Sequence, residues 1–92
     1  MSISPTASRQ AHHAWVIAAL EQHEQRLVRF AVRLLGDEET ARDVVQHAFL
    51  QLCRQPLGKA NELGTGEAVA RWLFCVIRRR AYDLFRRKQS RP

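Results

Sequence analysis

Between Arg71 and Arg87 the sequence reads RWLFCVIRRRAYDLFRR, guanidinium groups interleaved with rings. Arg71, Arg78, Arg79, Arg86 and Arg87 offer planar forks that match phosphate oxygens, and Trp72, Phe74 and Tyr82 offer flat faces. On a helix, at about 100° per residue from Phe74, the apolar Val69, Leu73, Val76, Ile77 and Leu84 gather between about 200° and 300°. Arg71, Phe74, Arg78, Tyr82 and Phe85 gather between about 0° and 80°, nearly opposite, with Trp72, Arg79 and Arg86 beside them. Arg80 falls inside the apolar arc, so it either snorkels past the core edge or marks a place where the helix is exposed. Arginines mixed with rings suit unpaired nucleic acid. Every base has a π-face to stack on, worth about 1–3 kcal/mol per base, and the arginines hold the backbone. A second reading fits the composition equally well: Phe74, Tyr82 and Phe85 pack under a loop or a first helix, and the arginines are a solvated rim.

Other chemistry finds no footing. No Ser/His/Asp spacing, phosphate-cradling glycine motif or paired carboxylates in a pocket-forming context occurs, so no enzyme and no cofactor is expected. His12, His13, His23 and His47 are scattered, and adjacent His12 and His13 point about 100° apart on a helix. Cys53, Cys75 and His47 match no common zinc spacing, and no metal is expected. Each cysteine sits among apolar neighbours, and both are read as reduced core thiols.

The elements that must carry the basic face fit in one small domain. Ninety-two residues with 46% hydrophobic content suffice for a single core. The net charge of +6 is uneven: residues 71–92 hold eight Arg or Lys and one acid, +7, and residues 1–70 hold seven and eight, −1. All the excess positive charge thus falls in the last quarter, which points to a polyanionic partner there. No apolar run approaches the roughly 18 residues of a membrane span, and MSISPTASRQ is no signal peptide. A cytoplasmic domain without membrane insertion is expected.

Residues 1–9 are polar, contain Pro5 and predict a structureless tail. A short helix starts near Gln10, with the wholly polar EQHEQ (21–25) as either a bend or a continuous exposed turn. Leu27, Phe30, Ala31 and Leu34 continue as one helical face. Gly36 ends that helix, and Asp37 caps the next, with Glu38 and Glu39 at the positive end of its dipole. Ala41, Val44, Val45, Ala48, Phe49 and Leu52 form its apolar stripe, which stops before Pro56. PLGKANELGTGE (56–67) is the one long loop, a length that is often functional. Thr65 is the expected cap of a last helix from about Gly66 to Lys88. The fold class is all-α, a compact bundle of three to four helices over residues 10–88, with 89–92 as the start of a linker.

Two stretches in order, GDEETARDVVQHAFLQL (36–52) and WLFCVIRRRAYDLFRR (72–87), resemble the second conserved region of bacterial sigma factors. The nearest group is the extracytoplasmic-function one. The matching positions are Gly36, Asp37, Ala41, Asp43, Gln46 and Phe49, then Trp72, Leu73, Ala81, Asp83, Arg86 and Arg87. The resemblance covers about residues 12–90. It implies a helical module that binds the β′ clamp coiled coil of core RNA polymerase and recognises the promoter −10 element. The family's clamp contact carries over to Asp43, Gln46 and Phe49, with Leu50, Arg54 and Val45 as neighbours. Asp43, Gln46 and Leu50 share a narrow arc, so a charge, an amide and an apolar group face outward together, a patch suited to a coiled coil. Core packing explains Phe49 equally well, and a surface ion pair to Arg42 or Arg29 would explain Asp43.

The resemblance also implies that the loop and last helix hold the non-template strand, with a flipped base entering the loop. Asn61 would read a base edge, Thr65 would lie beside it, and Arg78, Arg79, Arg86 and Arg87 would neutralise phosphates. An anti-sigma factor is a common partner of the group. Position 79 is usually Asn in the group, so Arg79 leaves the promoter preference open. The loop lacks the aromatic residue that often precedes it and is a few residues longer. The family's −35-binding helix-turn-helix domain is not in these residues, and QSRP resembles the interdomain linker, so a region excised from a longer chain is expected. A helical protein–protein module with an incidental basic end is the alternative. A helix-turn-helix duplex reader fits poorly, because it needs a short turn before its recognition helix.

Overall fold

The structure, a computed structural model, describes the backbone of residues 5–56 and 58–90, and the side chains of residues 8–56, 58–59 and 62–88. Four helices follow one another: α1 (Pro5–Leu35), α2 (Glu38–Cys53), α3 (Lys59–Leu63) and α4 (Glu67–Ser90). Three are long, α3 has five residues, and no strand occurs among the described residues. The all-α bundle expected from the periodicity is the one observed.

α1 corrects one expectation and decides between two alternatives for another segment. It begins at Pro5, inside the stretch read as a tail, and passes through EQHEQ without a bend. Proline is at home in a first helical turn, where its missing N–H has no partner to lose. From Thr6 to Leu35 there is neither glycine nor proline, so nothing interrupts the hydrogen-bond ladder. The polar segment keeps one inward residue, the buried His23.

Gly36 ends α1 with φ +77, and its N–H donates to the Val32 carbonyl at 2.7 Å. This left-handed residue is the one a glycine adopts at no steric cost. Asp37 then caps α2: its carboxylate accepts from the Thr40 N–H at 2.9 Å and from the Thr40 hydroxyl. Those two donors, the hydroxyl first, hold the exposed Asp37 carboxyl below its ordinary pKa of 3.8. Glu38 and Glu39 occupy the first turn, and Glu38 pairs with Arg42 at 3.0 Å.

The expected α2 stripe is buried, Phe49 included. At the other end Arg54 N–H reaches the Leu50 and Gln51 carbonyls, each at 3.2 Å. The long loop is not structureless, for α3 lies within it and Leu63 packs on the core. Gly64 takes φ +64, and the Ala70 N–H donates to the Gly66 carbonyl at 3.2 Å. That bond puts Gly66, not Thr65, at the cap position of α4. α4 runs on to Ser90, two residues past its expected end, while residues 91–92 lie outside the described residues.

Leu27, Leu52, Val69, Leu73 and Ile77 are fully buried where α1, α2 and α4 meet. Ala19, Ala31, Ala41, Ala48, Ala70 and Ala81 are also shut from solvent; small residues let helix backbones approach closely. Truncating one of the large side chains to alanine costs about 2–5 kcal/mol. The two cysteines are not part of this core: both are free and exposed. Their sequence neighbours are apolar, but Cys53 and Cys75 point off the buried stripes of α2 and α4.

Candidate nucleic-acid interface

α4 presents its outward face as an arc of Arg71, Cys75, Arg78, Arg79, Tyr82 and Arg86, all exposed. Tyr82 is the open ring of this helix, 53% exposed. Arg86 is held to Asp83 at 2.7 Å, one helical turn back, so its charge is shared with a carboxylate. Arg87, also exposed, lies at the foot of the helix with Leu35, Asp37 and Lys88. The arginine face expected from the helical wheel is therefore present.

The rings divide. Phe74 is half-buried and meets Phe30 of α1 edge to face, with centroids 4.8 Å apart and planes at 89°. The Arg26 guanidinium lies 5.4 Å from the Phe74 centroid and 3.6 Å from Glu67. Phe74 is thus a wall of the α1–α4 contact and not a free outward platform, which corrects the reading that grouped it with Tyr82. Trp72 occupies the opposite flank, half-buried beside Val76 and Arg80 in a groove against His47 and Gln51 of α2 and Gln55 just beyond it. Arg80 is accommodated by lying along that groove, half-buried. The wheel misplaced Phe74 and Trp72 because two neighbours, α1 and α2, embrace α4 and widen its buried arc.

Beside Phe74 the positive surface continues onto α1. Arg26, Arg29 and Arg33 border a groove floored by Phe30 and Phe74. These residues belong to the segment whose net charge is −1, so the charge count by segment hid them. Glu24 borders a neighbouring groove together with Arg29 and Arg33, so the positive surface of α1 has an acidic edge.

The loop before α4 is tied to α1 by main-chain acceptors. Trp15 Nε1 donates to the Gly64 carbonyl at 2.7 Å, and His23 Nε2 donates to the Thr65 carbonyl, also at 2.7 Å. His12 Nε2 donates to the Cys53 carbonyl at 3.0 Å. The Thr65 side chain stays exposed. Asn61 has its backbone in α3, and its side chain lies outside the described residues. Sequence reasoning missed Trp15, His12 and His23 as loop supports, because their acceptors are backbone carbonyls, which leave no mark in the sequence.

α2 carries a separate outward face. Asp43, Gln46, Leu50 and Arg54 are exposed along one arc, Leu50 to 50%. Among the described residues no ion pair holds Asp43: Arg42 is paired with Glu38, and Arg29 donates to the Gln25 carbonyl. Phe49 is 6% exposed and belongs to the core, so the packing reading fits it. Its edge still lines a groove of about 390 Å³ with Val16, Leu20, Gln46 and Leu50. Among the described residues no metal-binding cluster is present, and no helix is long and apolar enough to cross a membrane.

An arginine face with one open ring, a tethered loop beside it and a carboxylate–amide–leucine face on the preceding long helix are now in place. The sequence profile described as Sigma-70 region 2 matches residues 19–91. The chain belongs to the sigma-70 region 2 family. It is similar to a probable ECF RNA polymerase sigma factor, SigI, from two strains of Mycobacterium tuberculosis, with 35% identity over 82 residues in each case. That alignment covers 88% of this chain and 26% of the relative, so the chain spans about a quarter of the length of the curated relatives it matches. No solved structure matches. The resemblance read from the two sequence motifs is borne out.

Proposed function

We propose that this domain binds core RNA polymerase through α2 and holds the non-template strand of a melted −10 element through α4 and the loop before it. The relatives named as RNA polymerase sigma factors support the polymerase partner. The observation that carries the reading is the segregation of the two faces. Arg71, Arg78, Arg79 and Tyr82 are exposed together on α4, and Asp43, Gln46 and Leu50 are exposed together on α2.

Each face has its own chemistry. The guanidinium groups neutralise phosphates in a salt-dependent way, and Tyr82 offers one stacking surface for an unstacked base. Flipping a base costs a few kcal/mol, which contacts in the 58–67 loop offset. Phe74 and Trp72 act indirectly, by fixing the helix that carries the arginines. On α2, Leu50 and the adjoining apolar groove supply area, and Asp43 and Gln46 fix register. An anti-sigma factor that covered either face would compete with one of these contacts.

The decisive experiment is capture of core RNA polymerase, or of its isolated clamp coiled coil, by this chain. Asp43→Ala with Gln46→Ala removes two exposed side chains, so the fold stays intact and capture is expected to fall. Unchanged capture by the double variant would exclude α2 as the docking face. No capture by folded wild type would favour an interaction module whose basic end is incidental.

A further inference from the structure

The segment between α2 and α4 is pinned near both ends by one face of α1, and every pin is on the main chain. His12, Trp15 and His23 lie within about 60–80° of one another around α1. They are 4%, 7% and 4% exposed. Their donors reach Cys53, Gly64 and Thr65 across 41, 49 and 42 residues of sequence. All three acceptors are carbonyls, so each histidine carries a proton on Nε2. The His12 and Trp15 rings also lie against each other, 5.3 Å between centroids. Buried donors of this kind are costly to leave unpaired, so the carbonyls are held firmly. Bonds to carbonyls fix the path of a loop and leave its side chains free.

We infer that His12, Trp15 and His23 are positioning residues that hold the 58–67 loop in the one path that admits its preferred unstacked base. This rests on the proposed role of that loop at the −10 element. A site rejects a wrong base by leaving fixed polar groups unpaired, and a loop free to shift can re-pair them. His23 and Trp15 are the closer supports, because Gly64 and Thr65 lie inside the loop. His12 sets its departure from α2.

The test uses Trp15→Phe, which keeps a buried ring, His23→Leu, which keeps none of the polar atoms, and His23→Gln, whose amide can donate in place of Nε2. Amide hydrogen exchange is followed on the chain itself. Base choice is read with core polymerase assembled with the chain, selecting from fork-junction DNA whose single-stranded non-template bases are randomised. Trp15→Phe and His23→Leu are expected to speed exchange at the α3 amides and at Ala70, whose N–H donates to Gly66, by about fivefold, the equivalent of one ordinary hydrogen bond. Exchange within α2 and the middle of α4 should stay as in wild type, which a general loss of stability would not allow. The ratio of most to least enriched base at the loop's position is expected to fall about fivefold. Total DNA retained should stay within about twofold because the phosphate contacts are untouched. His23→Gln should recover part of both effects.

Unchanged exchange in both loss variants would overturn the inference by showing that the bonds do not hold the loop. Faster exchange with unchanged base choice would overturn it while leaving the −10 reading intact. A wild-type assembly that enriches no base would overturn the −10 reading and the inference with it, and is seen before any substitution is made.

Discussion

Asp37 shows how much one exposed side chain can do when it sits at a helix start. Its carboxylate takes both Thr40 donors, and those bonds favour the charged form, which is why its pKa lies below 3.8. A depressed carboxyl contributes stability that is complete above its unfolded value and is lost as pH falls through its folded value. The thermal midpoint of wild type is therefore expected to decline as pH falls through and below the ordinary carboxylate range. Asp37→Asn keeps an amide oxygen for the cap and should lose that part of the pH dependence, while Asp37→Ala should lower the midpoint across the range. Thermal melts by circular dichroism at stepped pH check both. On α4, Arg78→Ala or Arg79→Ala should flatten the salt dependence of single-strand DNA binding by about 0.7 per lost phosphate contact. An unchanged slope would return those arginines to a solvated rim. Arg86 is a poorer probe, since Asp83 already shares its charge.

At the scale of the element, α4 is decided by what flanks it. Its fully buried Leu73 and Ile77 anchor it between α1 and α2, and Tyr82 stands clear on the far side. Leu73→Ala is expected to cost about 2–5 kcal/mol in chemical denaturation and to reduce every binding activity together. Tyr82→Ala should leave stability within about 0.5 kcal/mol and weaken single-strand binding by about 1–3 kcal/mol. Equal stability losses in the two variants would place Tyr82 in the packing. The loop is a second case. Its composition reads as unstructured, yet α3 forms within it and α1 reaches across to hold its carbonyls.

At the scale of the molecule, two faces of opposite chemistry share one core. The positive face with Arg78, Arg79 and Tyr82 is carried by α4, and the face with Asp43 and Gln46 by α2. The separation allows a protein partner and a nucleic acid to be engaged at once. The Asp43/Gln46 double variant should therefore lose polymerase capture and keep the salt slope of DNA binding, whereas Arg78/Arg79 variants should do the reverse. Loss of both activities in either variant, with an unchanged helical spectrum, would mean that the faces are coupled.

The sequence by itself determined α2, α4 and most of α1, because apolar residues at three- and four-residue steps leave a chain one way to bury them. It determined the α1–α2 boundary at Gly36–Asp37, where one residue favours positive φ and the next a cap, and it showed the basic character of α4. The motifs around Asp43–Phe49 and Trp72–Arg87 carried the family as well. Tertiary structure alone decided which flank of each stripe is covered. A wheel has no neighbours, so it could not show Phe74 against Phe30, Trp72 against α2, or Cys53 and Cys75 in solvent. It also decided that EQHEQ stays helical and that Gly66 stands where Thr65 was expected to cap. His23 is buried in the first of these segments and bonds to a carbonyl in the second. Such a bond spans more than forty residues of chain, and its acceptor is a backbone atom that every residue possesses, so no side-chain pattern announces it.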